Sequence, residues 1–132
     1  MTAKKNLFYF TVRGYVNFTY LLFFDIIGYV KEGIFVFYDK YLDFDDIEEL
    51  YDNYDVNVLN NIDRDNFDKI YNLFKEYKFD FIEDIIVKYF DIFVLEYKDV
   101  DNKLNRLVKA LGDNYIDIIG NDMSYLEYIV RD

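Results

Sequence analysis

The apolar positions of this chain change period along its length, and the period predicts the elements. Residues 7–12 (LFYFTV) are aromatic and β-branched, Arg13-Gly14 reads as a turn, and residues 15–20 pair back as a hairpin. Residues 21–30 fit a short helix ended by Lys31-Glu32-Gly33, and IFVFY at 34–38 reads as a buried strand. Beyond residue 40 the spacing becomes helical. Asp45 precedes Glu48 by three, and Asp80 precedes Glu83 by three, the spacing of a helix-opening capping box. Phe67, Ile70, Tyr71, Phe74 and Tyr77 make one apolar helix face; Phe81, Ile82, Ile85, Ile86 and Tyr89 make another. IFVLEY at 92–97 reads as a strand. Leu104, Leu107, Val108 and Leu111 mark a helix that Gly112 stops, and residues 125–130 read as a last strand. The expected fold is α+β: a β-rich subdomain over 1–40, a helical one over 41–96, and a strand-helix unit over 97–132.

Charge sharpens this division. The chain has 132 residues and a net charge of −11. Residues 1–40 carry +2, residues 41–96 carry −11, and residues 97–132 carry −2. The excess therefore sits in the middle segment. Nowhere is it denser than in DFDDIEELYDNYD, residues 43–55, which has seven carboxylates and no Lys or Arg. An AT-rich genome accounts for the abundant Phe, Tyr and Asn, but it raises Lys at least as readily as Asp, and here nineteen Asp stand against eleven Lys. An apolar fraction of 53% argues for a folded chain. Direct nucleic-acid binding is not expected of so acidic a surface; partners with positive surface are. The most apolar window, residues 15–30, is too short to span a bilayer and contains Asn17 and Asp25, so no membrane partner and a cytoplasmic location are expected.

Candidate chemistry is sparse. With no His, no Cys and a single Ser, no Ser–His or Cys–His nucleophile pair exists. Paired carboxylates remain available in principle, but their abundance makes no pair special. Asp63-x-Asp65 and Asp99-x-Asp101 open like calcium loops, yet the fifth, sixth and twelfth positions hold Phe67, Asp68 and Phe74, or Lys103, Leu104 and Ala110. Helix capping is the better reading of these acids. Neither a metal nor a cofactor is expected, and the chain reads as a non-enzyme.

The acids themselves remain. On a helix, Asp45, Glu48 or Glu49, Asp52 and Asp55 advance by three or four and form one stripe, its charges about 4.5–6 Å apart along the axis. Asp43, Asp46, Asp63, Asp65, Asp68, Glu83, Asp84 and Asp91 add to the same segment. B-form DNA presents about one charge per 1.7 Å of axis. A folded array of carboxylates is a candidate mimic of that polyanion; a solvated acidic face with helix caps is the plainer alternative.

From residue 34 onward the order of segments resembles the ArdA family of antirestriction proteins. The resemblance is carried by IFVFYDK followed by DFDDIEEL, then NFDKIYNLFKEY (66–77), FDFIEDIIVKYFD (79–91), IFVLEY, DNKLNRLVKALG with Leu104 and Arg106 in the family's positions, and NYIDIIGNDM (114–123). Two acids of the family's later helix are Lys109 and Ala110 here. The resemblance implies an elongated acidic homodimer that mimics DNA and blocks type I restriction–modification enzymes. It implies a C-terminal dimer contact, for which Leu104, Leu107 and Tyr115 are the candidates. The expected function is thus a phage- or mobile-element-borne inhibitor that occupies the DNA channel of a host defence protein. The alternatives are an anti-CRISPR protein that blocks a Cas effector, and an acidic structural or assembly protein of a virus.

Overall fold

The computed structural model describes residues 37–131. The chain divides into two compact units, Met1–Tyr51 and Asp52–Asp132. The expected strands at 7–12 and 15–20 and the expected helix at 21–30 lie outside the described residues.

In the first unit, Phe37 and Tyr38 are buried and lie in a helical turn. The Tyr38 carbonyl accepts from the amides of Tyr41 and Leu42, both at 2.9 Å. The Phe37 ring meets Tyr38 and Tyr41 edge-on at 4.9 and 5.4 Å, and the Lys40 ammonium covers the Phe37 ring at 5.4 Å. Helix α1 follows, Phe44–Asn53, and buries Ile47 and Leu50. Its opening differs from the expected box. Asp43, not Asp45, caps it: the Asp43 Oδ1 accepts from the Asp46 amide at 2.9 Å. Asp43 is the residue that stands outside the first turn, where an amide without an intrahelical partner needs an acceptor.

The second unit is a helical assembly. Its described elements are α2 (Val56–Asn60), α3 (Arg64–Glu76), α4 (Ile82–Lys88), a 3-10 segment (Phe90–Val94), α5 (Tyr97–Leu111), α6 (Tyr115–Asn121), a second 3-10 segment (Met123–Leu126) and α7 (Glu127–Val130). Asp55 caps α2 through the Asn57 amide at 2.8 Å, and Asp63 caps α3 through the Asn66 amide at 3.0 Å. The α4 terminus has no side-chain cap, so Asp80 does not play the expected role. Helix α3 closes with a Schellman motif. The Phe79 amide donates to the Phe74 carbonyl, the Lys78 amide to the Lys75 carbonyl, and the Phe74 and Phe79 rings meet at 5.2 Å. Lys78 takes the left-handed position with φ 70. Gly112, φ 85, ends α5 as expected from the sequence.

The core forms where α3 packs on α5 and on the first 3-10 segment. Phe67, Phe74, Phe90 and Phe93 are fully buried, with Phe93 4.8 Å from Phe67 and 5.9 Å from Phe74. Residues 52–132 form the second compact unit.

Among the described residues every regular element is helical, which corrects the α+β expectation to all-α. Of the 34–38 strand, the described residues 37–38 are helical. IFVLEY is a 3-10 segment running into α5: Ile92 and Phe93 are buried side by side while Val94 is 46% exposed, a pattern without alternation. At 125–130 the buried residues are Leu126 and Ile129, three apart, while Tyr125 and Tyr128 are exposed. Short apolar runs carry too few turns for the period to decide between strand and helix, and packing decides instead. No helix among the described residues is long and apolar enough to cross a membrane.

Candidate functional site

The amphipathic pattern of α1 sets the geometry of the acidic surface. Ile47 and Leu50 face inward. At about 100° per residue, Asp45, Glu48, Glu49 and Asp52 fall on the opposite side, within an arc of roughly 100°. All four are exposed, and Asp46, outside the arc, is half-buried. Asp45, Glu49 and Asp52 take part in no hydrogen bond or ion pair through their side chains. α1 carries five carboxylates and no base. Four charges over eight residues span about 10.5 Å, or roughly 3.5 Å of axis between successive charges. That is close to the spacing of about 3.4 Å along one strand of a duplex, and about twice the 1.7 Å of both strands together.

The other predicted carboxylates lie elsewhere. Asp43 caps α1, Asp55 caps α2 and Asp63 caps α3. Asp65 stands in the first turn of α3, Glu83 and Asp84 in the first turn of α4, where a carboxylate complements the helix dipole. Asp91 is exposed on the first 3-10 segment. Asp68 shares α3 with Arg64, Lys69 and Lys75, so that helix is mixed in sign. The structure thus gathers four of the five α1 acids into one stripe; Asp43 caps that helix, Asp68 lies within α3, and Asp55, Asp63, Asp65, Glu83, Asp84 and Asp91 stand at the starts of elements in the second unit.

The residues expected at a dimer contact are used inside the chain. Leu104 is fully buried and Leu107 is 7% exposed. The Tyr115 hydroxyl donates to the Tyr77 carbonyl, and its ring packs on Phe79 at 5.8 Å.

The depressions on the second unit's surface include three with distinct linings. One, of about 750 Å³, runs between α5 and the C-terminal segment. A second, of about 290 Å³, is lined by Val58, Ile62, Phe93 and Val94. The third, also about 290 Å³, brings Glu76 and Asp101 together with Tyr77 and Tyr97. This last is a carboxylate pair that no sequence spacing signalled, because α3 and α5 supply one acid each. Tyr77 and Tyr97 have their hydroxyl pKa values raised, first by burial and then by the Asp101 and Glu76 charges. Among the described residues no group of three or more His, Cys, Asp or Glu is arranged to hold a metal ion.

Two polar residues hold the second unit together without any signal in the sequence. The Asn66 amide nitrogen donates to the Leu95 carbonyl at 2.7 Å, and its oxygen accepts from the Tyr97 amide at 3.0 Å. The Tyr54 hydroxyl donates to the Lys88 carbonyl at 3.3 Å and accepts from the Phe90 amide at 3.2 Å. Only tertiary placement gives either residue its role.

The described part of the chain is thus an acidic, all-helical protein. No family model, no curated protein and no solved structure matches it.

Proposed function

We propose that this protein is a non-enzymatic inhibitor whose acidic surface takes the place of a nucleic-acid backbone in the positively charged channel of a host defence enzyme, inside the host cell. A type I restriction–modification enzyme is the first target to test, and a CRISPR effector the second. The observation that supports this reading is the α1 stripe: Asp45, Glu48, Glu49 and Asp52 on one exposed arc of a helix that carries no base. A helix buried on one side gains nothing in packing from such a row, and like charges three and four apart oppose helix formation. A basic channel offers what offsets that cost, through steering at long range and ion release on contact.

The test is competition. Purified protein is added to a type I restriction enzyme bound to duplex DNA, and DNA release is measured over a salt series. The wild-type chain displaces DNA, and its effect falls steeply with added salt. Replacing Asp45, Glu49 and Asp52 with Lys abolishes displacement, while Asn and Gln at the same positions weaken it in proportion to the charge removed. Far-UV circular dichroism controls for folding. Displacement that survives the Lys variant at low salt would refute the role given to α1.

A further inference from the structure

The groove between α5 and the C-terminal segment brings cationic, aromatic and apolar side chains together. In a chain with only four arginines and a net charge of −11, two arginines, Arg106 and Arg131, line this one depression. Arg106 is exposed and makes no hydrogen bond or ion pair through its side chain. Arg131 meets one carboxylate, Glu127, at 3.8 Å, a contact open to water on both sides. Tyr125 and Tyr128 line the same groove, 42% and 37% exposed, with hydroxyls that have no hydrogen-bond partner. Leu107 and Leu111 supply apolar lining. The volume of about 750 Å³ suits a small organic molecule.

The nearby acids leave Arg106 unpaired. Asp122 also lines the groove, and its Oδ1 accepts from both the Ser124 amide at 3.1 Å and the Ser124 hydroxyl at 2.6 Å. Asp122 and, at Arg131, Glu127 therefore stand beside the two guanidinium groups, and Arg106 is the one whose side chain no carboxylate pairs. The acids of other elements act through solvent, where charges more than about 8 Å away are largely screened at physiological ionic strength.

We propose that this groove binds a small organic anion bearing a flat ring, of the nucleoside monophosphate type. Arg106 and Arg131 take the phosphate, for which a planar guanidinium is the fitting donor. Tyr125 and Tyr128 take the ring by stacking, as aromatic side chains do with bases. The site lies wholly within the second unit and does not depend on the role given to α1.

The test titrates the full chain with adenosine monophosphate and follows amide NMR shifts, with adenosine and inorganic phosphate as separate arms. Adenosine monophosphate moves the amides of residues 106–111 and 122–131 saturably. Adenosine or phosphate alone binds at least about tenfold more weakly, since each lacks half of the contacts. Arg106→Gln, at an exposed and unpaired position, keeps the fold and weakens binding by about tenfold or more; Lys98→Gln, outside the groove, leaves it unchanged. No saturable shift at millimolar nucleotide overturns the proposal. So do shifts confined to other residues, equal binding by inorganic phosphate, or an Arg106→Gln variant that binds like the wild type.

Discussion

Replacing Asn66 with Ala removes two hydrogen bonds that join α3 to the start of α5. Asn66 sits in the first turn of α3, half-buried, and reaches a carbonyl and an amide about thirty residues away in sequence. Glu96, which precedes α5, offers no side-chain cap, so Asn66 acts as that cap from another helix. Each bond contributes about 0.5–1.5 kcal/mol net, and the Leu95 carbonyl and Tyr97 amide are left to partial solvation. The better helix propensity of Ala returns about half a kcal/mol. The expected loss is about 2 kcal/mol, read as a lower urea midpoint at constant m in far-UV circular dichroism. Asn66→Asp adds a pH signature. Its carboxylate still accepts from Tyr97 but faces the Leu95 carbonyl without a donor, so the folded state favours the protonated acid and its pKa is raised above the unfolded value near 3.9. The deficit relative to wild type is then full above the folded pKa and shrinks as pH falls through it towards about 4. An Ala variant within about 0.5 kcal/mol of wild type, or an Asp variant whose deficit is flat across that window, would refute the cap assignment.

Lys78→Gly should stabilise the chain by about 0.5–1 kcal/mol, because the left-handed position that closes α3 strains a side chain and suits glycine; a lower melting temperature would count against the motif. Tyr54, Tyr77 and Tyr97 have pKa values raised chiefly by burial, so the stability they contribute is complete below about 10 and is lost as pH rises through their folded values. Alkaline unfolding and tyrosinate absorbance should therefore rise together, and Tyr54→Phe should cost about 1 kcal/mol at neutral pH. Added salt should stabilise the free protein by screening the α1 carboxylates while it weakens partner binding, measured by thermal unfolding and by the competition assay on one sample series.

The helices with two or more turns of apolar periodicity were readable from the sequence. Phe67, Ile70 and Phe74 in α3, and Leu104, Leu107 and Leu111 in α5, repeat over enough residues for the 3.6 period to separate from alternation. Gly112 marked the end of α5 because few other residues take its backbone conformation readily. The expected strands at 92–97 and 125–130 failed for the opposite reason. Six residues rich in Ile, Phe, Val and Tyr satisfy either period. In the structure the preceding helix and the packed Phe67 and Phe74 rings draw Phe93 into a 3-10 segment. The cap positions were displaced because both Asp43 and Asp45 offer an acceptor, and the sequence does not say where the first helical turn begins.

The candidate surface was readable as a charge run and became geometry only through the apolar residues within it. Ile47 and Leu50 fix which side of α1 is buried, and that choice alone turns Asp45, Glu48, Glu49 and Asp52 into one exposed arc. Had the buried pair been one residue later, at 48 and 51, the same helix would have placed Asp46 near the middle of the exposed face and turned acids of the stripe towards its edges. Mimicry therefore depends on the register of α1 as much as on net charge. Ile47→Asp with Asp46→Ile, which keeps composition and charge, separates the two: a solubility device tolerates a rotated stripe, whereas a surface that replaces a phosphate row loses its fit.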